Sequence, residues 1–298
     1  MSYAVYFVAV GEPALNCLSY AYRSLRAAGF TGDVYIMCDR DAVPFPVAQN
    51  TWVKKIQDEH LNLDLNSTKP LSFFDVRRLD INNPRNVRNT YTTKKFAICH
   101  MKSLAEEYVP LDKYDYVVYL DSDILTAGPM ERFEEFVQKH EGAIITSQAE
   151  DQPRLGGRGN FSLKKLRRAT TTVAANLTTW ELIKYWFVQP LCADIICFPT
   201  NERGRQFLHE WKAECQKGID SDQAALQAVL LRDFRDVHIL APYSLFGYGP
   251  SHLAYKEHAL LEKVNSIFVH FSGAVKDIRA LEGYYKKYLV KSNLNQVV

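Results

Sequence analysis

The sequence predicts an α/β protein, a mostly parallel central sheet with helices on both faces, and three observations carry the prediction. First, the chain opens as strand, helix, strand. Tyr3–Val10 is an apolar and aromatic run, Asn16–Ala28 repeats Leu18, Ala21, Tyr22 and Leu25 at helical spacing, and Asp33–Met37 is again a short β-rich run. Second, DYVVY at Asp115–Tyr119 is almost fully apolar, as a strand covered on both faces must be. Third, short strands and helices go on alternating to the C-terminal region, the pattern of crossover units building one sheet.

The remaining elements follow in order. Pro44–Arg88 is rich in Pro, Asn and Asp with little periodicity and reads as irregular structure. Periodicity returns at Thr93–Tyr108, a helix expected to expose Lys94, Lys102 and Glu106. Beyond DYVVY come a helix at Met130–His140, a strand at Ala143–Thr146 and a loop from Arg154 to Arg168 with six Lys/Arg and no acid. That loop reads as a solvated turn or as a lid or acceptor element for an anionic substrate. An aromatic segment at Trp180–Val188 precedes a strand at Asp194–Phe198. Helices follow at Glu202–Lys217 and Asp222–Leu231, then strands at Val237–Leu240 and Ser266–Phe271. No repeat, low-complexity tract or linker interrupts this order, so residues 1–298 are expected to form one domain.

Composition narrows the function. With 36 Lys+Arg against 34 Asp+Glu, the net charge of +2 supplies no general drive toward nucleic acid, which is not expected as a partner. The opening MSYAVYFVAVGEP lacks a basic leader, and Glu12 and Pro13 cut the apolar stretch short of a signal or membrane span. The six cysteines form no CxxC pair, so neither a zinc ribbon nor a thioredoxin-type site is indicated, and reduced thiols in cytoplasm are expected.

Two passages carry chemistry. In YDYVVYLDSDILTAGPM, Asp121 and Asp123 lie one residue apart just past a buried strand, where open α/β sheets bind ligands. Two carboxylates at that spacing on extended chain reach the same side and can share a cation. A DxD elsewhere usually marks a solvated turn; its position after VVYL is what favours a site. In VHFSGAVKD, His270, Gly273 and Lys276 follow a strand at three-residue intervals. They offer an imidazole to a metal, and bare backbone and an ammonium to a phosphate.

Together, LDSD after an apolar strand and HFSGAVK near the C-terminus resemble the retaining glycosyltransferases of family 8, the group that contains glycogenin and bacterial lipo-oligosaccharide galactosyltransferases. The opening FVAVGEPALNCLSYAYRSL, the lysines of TTKKFAI and the Asp-Gln pair of SDQAALQ extend the resemblance along the chain. It implies a GT-A nucleotide-diphospho-sugar transferase domain with a Rossmann-like sheet. Residues 1–130 would form the nucleotide-sugar half, and 131–298 the acceptor half with the C-terminal metal and phosphate motif. Asp121, Asp123 and His270 would hold Mn2+ or Mg2+. Gly273 and Lys276 would hold the donor diphosphate, with Ser122 inside the DxD. Ala9, Val10, Gly11 and Asp39 would meet the nucleoside of a UDP-sugar, and Lys95 or its neighbour Lys94 would touch the donor. Asp222 and Gln223 would lie near the anomeric carbon, although a helix N-cap explains that pair too.

The chain departs from the family at Cys192-Ala193-Asp194, where an Asn-Ala-Gly or Asn-Ser-Gly segment would face the donor sugar, and at Asp277-Ile278 after the final lysine. Asp194 joins Asp222 and Gln223 as a candidate catalytic residue, and Glu150 or Asp151 could match a further family aspartate. The acceptor would be a saccharide, a lipid-linked sugar or a protein. From Lys276 onward, five Lys/Arg interleave with Tyr284, Tyr285 and Tyr288, which suits either docking on the inner face of an anionic membrane or an amphipathic terminal helix. Two rival readings differ in what the sequence offers them. A sugar nucleotidyltransferase needs a Gly-rich loop after the first strand, where this chain has VAVGEPALN. A silent nucleotide-sugar-binding protein would keep the fold without turnover.

Overall fold

A computed structural model of the chain describes residues 1–57, 60, 100–148, 191–216, 222–241, 245–248, 266–271, 274–275 and 277–289. The described strands are β1 (Tyr3–Ala9), β2 (Val34–Cys38), β3 (Thr51–Lys55), β4 (Tyr116–Asp121), β5 (Ile124–Thr126), β6 (Ile144–Gln148), β7 (Leu191–Pro199), β8 (His238–Leu240), β9 (Phe246–Tyr248) and β10 (Phe268–His270). The described helices are α1 (Glu12–Ala27), α2 (Ala105–Tyr108), α3 (Met130–Lys139), α4 (Glu202–Gln216), α5 (Asp222–Asp233) and α6 (Arg279–Tyr284). A 3-10 turn at Lys102–Leu104 leads into α2, and a π-helical turn at Tyr285–Leu289 continues α6.

Seven strands form one sheet in the order β3-β2-β1-β4-β7-β6-β8. All are parallel except β7, which runs against both β4 and β6. A second sheet has the order β5-β10-β9. β1 sits between β2 and β4 with every residue buried, which explains why YAVYFVA has no polar face to give. The side chains of β1 alternate into two cores: Tyr6 and Val8 join Tyr119, Phe198 and the α4 residues Phe207 and Trp211, while Val5 and Phe7 join Leu15, Leu18 and Leu25 of α1 and Phe133 of α3. The result is three layers, helix on sheet on helix. Burying each large aromatic or aliphatic side chain contributes about 2–3 kcal/mol.

The turn from β1 into α1 depends on Gly11, whose φ of 83° is one that side-chain-bearing residues rarely adopt. At the far end of α1, Arg26 donates to the carbonyls of Phe30 and Gly32 at 3.0 and 2.7 Å. It thereby places positive charge on the negative helix terminus. After the small sheet, α6 packs on α1: the rings of Tyr20 and Tyr285 are 5.1 Å apart, Tyr20 donates to Glu282 at 3.0 Å, and Leu281 is buried while Lys286 faces solvent. The C-terminal basic stretch is thus an amphipathic terminal helix as far as it is described. No described helix is long and apolar enough to cross a membrane.

Three expectations need correction. Thr51–Lys55 lies inside the stretch read as irregular, yet it forms edge strand β3, whose half-exposed TWVKK hides the usual alternation. Asp121 is the last residue of β4 rather than the first beyond it. Lys102, expected on an exposed helix face, is buried, because the chain enters α2 through a 3-10 turn that rotates this residue inward. The loop at 154–168 and the aromatic segment at 180–188 lie outside the described residues.

Gly204 opens α4 so close to the end of β7 that a Cβ there would stand 1.6 Å from the Pro199 carbonyl oxygen. Gly204→Ala is therefore expected to cost about 3 kcal/mol, read as a lower urea midpoint with an unchanged slope. In β8, burial lowers the pKa of His238 from 6.5 to about 4, and its Nε2 lies 2.8 Å from the Thr146 hydroxyl. The unfolded chain takes up that proton near its ordinary pKa and the folded chain only near 4, so stability falls as the pH drops through this window. Urea midpoints at about pH 7 and about pH 5 should show a smaller drop in His238→Gln than in the wild type.

Candidate active site

The carboxyl ends of the parallel strands β1, β2 and β4 lie along one rim of the sheet, and β7, being reversed, brings its amino end to the same rim. Leu120 of β4 pairs with Ile195 of β7, so Asp121 and Asp194 are the next residues out on neighbouring strands. Asp123 sits two residues beyond Asp121, between β4 and β5. The second sheet then brings in the C-terminal motif: β10 runs antiparallel to β5 with His270 opposite Ile124, and the Phe271 amide donates to the Asp123 carbonyl at 2.9 Å.

The imidazole of His270 lies between two carboxylates. Its Nε2 is 3.3 Å from Asp123 Oδ1, and its Nδ1 is 2.7 Å from Asp194 Oδ2. Asp194 is itself held, its Oδ1 accepting from the Ser147 hydroxyl and from the Ile195 amide at 2.9 Å. Burial opposes charge on Asp194, but His270, Ser147 and Lys102 outweigh it and hold the carboxyl below its usual pKa. Burial likewise opposes charge on His270, and Asp123 and Asp194 outweigh it, raising the imidazole well above its usual value.

Lys102 is the residue that sequence reasoning misplaced. Its Nζ lies 2.8 Å from Asp121 Oδ1, donates to the Ala193 carbonyl at 3.0 Å and stands 5.0 Å from the centre of the Tyr119 ring. The Tyr119 hydroxyl donates to the same Asp121 oxygen, and the Tyr6 hydroxyl fixes the Lys102 carbonyl at 2.7 Å. Among the described residues, three carboxylates thus face one ammonium, leaving two negative charges when His270 is neutral. Oxygen and nitrogen ligand atoms of Asp121, Asp123 and His270 all lie within 4.8 Å of one another. That donor set and that charge fit a divalent cation of the manganese or magnesium class.

The other expected residues divide between the described and the undescribed chain. Ala9 ends β1, and Val10 and Gly11 follow it at the site rim. The Gly11 amide donates to Asp39 Oδ2 at 3.0 Å, which joins two of the four expected nucleoside contacts. Ser122 is buried in the turn between β4 and β5. Asp222 and Gln223 open α5; their side chains, together with Lys94, Lys95, Glu150, Asp151, Gly273 and Lys276, lie outside the described residues. A cavity of about 370 Å³ lies at the opposite rim, against Tyr3, Asp33, Tyr114 and Glu134. There the Tyr3 hydroxyl is committed to Glu134 at 2.8 Å and that of Tyr114 to Asp33, so it is separate from the carboxylate cluster.

No protein-family model matches the chain, and no curated protein matches it by sequence. Solved structures do. The galactosyltransferase LgtC, in complex with donor and acceptor sugar analogs, superposes with a TM-score of 0.57 over 97% of this chain and 95% of its own, at 14% identity. The fold is that of the GT-A glycosyltransferases. Mouse xyloside xylosyltransferase 1 shares this GT-A fold with a TM-score of 0.52 over 92% of this chain and 99% of its own, at 10% identity. The bifunctional glycosyltransferase WbbM aligns at 12% identity and 0.53 over 97% of this chain, which spans 51% of the WbbM chain.

Within this GT-A fold, Lys102 makes the half-buried Asp121 tolerable. Lys102→Met should lower stability in chelator by about 2 kcal/mol, less than for a fully buried pair because Asp121 is partly exposed. Added Mn2+ should recover part of the loss, read as a larger shift in urea midpoint than in the wild type, since removing the ammonium leaves more negative charge for the cation.

Proposed function

We propose that this chain is a metal-dependent glycosyltransferase that moves a sugar from a nucleotide-diphospho-sugar, a UDP-sugar, to an acceptor hydroxyl with retention of anomeric configuration. The observation that carries the proposal is the convergence of Asp121, Asp123 and His270 at the carboxyl rim of the sheet. The GT-A fold and the family 8 motifs support it.

In this reading the three side chains hold a divalent cation. Asp194 Oδ2, 2.7 Å from Nδ1 of His270, would take the proton on that nitrogen and so leave the Nε2 lone pair on the side of Asp123. Asp194 is then a positioning residue, and Lys102 is the second, because it fixes which oxygen of Asp121 is engaged. A bound cation would supply charge neutralisation for the departing diphosphate. Gly273 and Lys276 complete that diphosphate site, and Ala9, Val10, Gly11 and Asp39 take the nucleoside. Asp222 and Gln223 orient groups near the anomeric carbon. No residue is marked by sequence as a covalent nucleophile. Same-face attack, with the leaving phosphate oxygen taking the acceptor proton, is accordingly the favoured route.

The test is UDP release from a panel of UDP-sugars, with and without Mn2+. The wild type should release UDP from one or a few donors only with the cation, and Asp123→Asn should lower the rate by at least about 100-fold. Cation-dependent UDP binding without release from any donor or acceptor mixture would favour the silent nucleotide-sugar-binding protein instead. Absence of UDP binding would overturn the reading.

A further inference from the structure

Cys192 and Asp194 flank Ala193 on β7, where the register with β6 shifts, and Ala193 is buried in the core while both neighbours bring ligand atoms to His270. Asp194 commits Oδ1 to Ser147 and Ile195, which leaves Oδ2 toward Nδ1 of His270 at 2.7 Å. The ligand atoms of Cys192, Asp194 and His270 all lie within 4.8 Å of one another. Cys192 is partly exposed, whereas Cys17, Cys38, Cys197 and Cys215 are buried. Of those, burial and Asp123 push the Cys17 thiol up to about 12.

We propose that Cys192, Asp194 and His270 form a second cation site, selective for soft divalent ions of the zinc and cadmium class, that shares His270 with the Asp121–Asp123 site and excludes the hard cation. Sulfur, nitrogen and one carboxylate oxygen are a zinc donor set with a position left open, whereas manganese and magnesium favour oxygen. Around a tetrahedral ion such donor atoms stand about 3.5–4 Å apart, so rotation of the Cys192 side chain closes the gap. Binding releases the thiol proton to solvent and replaces the contact between Asp194 and Nδ1.

Exclusion of the hard cation follows from the two nitrogens of one ring. With the hard cation bound, Nδ1 carries its proton toward Asp194 and the Nε2 lone pair is available. With the soft ion on Nδ1, the remaining proton sits on Nε2 and points at Asp123. Either tautomer serves one site and closes the other. Soft-cation binding is independent of whether the chain transfers a sugar, so its failure would leave the proposed activity standing.

The experiment titrates the full chain with Cd2+, reading the ultraviolet thiolate-to-cadmium charge-transfer absorption, and in parallel measures Mn2+ binding by loss of the free-ion paramagnetic resonance signal. The wild type should show the absorption, and Cd2+ should displace Mn2+ from it. Cys192→Ser should lose the absorption, weaken Cd2+ binding by more than about 100-fold and bind Mn2+ within about twofold of the wild type, which also shows that the variant is folded. Asp121→Asn should keep the absorption and lose Mn2+ binding. Absence of the absorption in the wild type, its persistence in Cys192→Ser, or its loss in Asp121→Asn would each overturn the proposal.

Discussion

Holding three carboxylates at the rim of a buried sheet is the constraint on which the rest of the molecule depends. An ionised carboxylate taken from water without a partner costs several kcal/mol, enough to consume much of a domain's net stability. Each of the three is answered by a group from a distant part of the sequence: Asp121 by Lys102, and Asp123 and Asp194 by His270. The reversed direction of β7 is part of the same solution. Had it run parallel to β4, Asp194 would lie at the opposite rim, and Nδ1 of His270 would have no anion to fix its proton.

Much of this was legible in the sequence. The strand–helix–strand opening, the central apolar strand and most of the later elements that were read fall within a few residues of their observed bounds, because their apolar periodicity is the periodicity of burial, whereas the three-residue strands β5 and β9 are too short to show one. The convergence of Asp121, Asp123 and His270 was legible as well, since Asp121 and His270 end apolar strands and Asp123 lies in the turn just beyond one, where polar groups are conspicuous. The GT-A fold rested on the order of these motifs rather than on any one of them.

Lys102 was not legible, and the reason is physical. Long basic side chains on a helical pattern normally face water, and the sign that this one does not lies in the Tyr119 ring, the Ala193 carbonyl and the Asp121 carboxylate across the sheet. No local pattern encodes such a partner. β3 was hidden for a related reason: an edge strand buries one side only, so Lys54 and Lys55 and the stacking of Trp52 on Tyr35 look like turn chemistry from the sequence. Asp194 offered a signal that could have been read further, since an acid opening the buried run DIICF requires a buried partner.

The pairing of β5 with β10 and the amide of Phe271 on the Asp123 carbonyl fasten the C-terminal region to the turn that carries the DxD. During synthesis, the sheet core of β1, β2 and β4 leaves the ribosome long before His270 does. A nascent chain therefore presents Asp121 and Asp123 without the imidazole that the fold sets beside them, and the cluster is assembled only at the last stage of its maturation. A chain truncated ahead of β10 would keep β1, β2 and β4 and still have no means of gathering the three side chains.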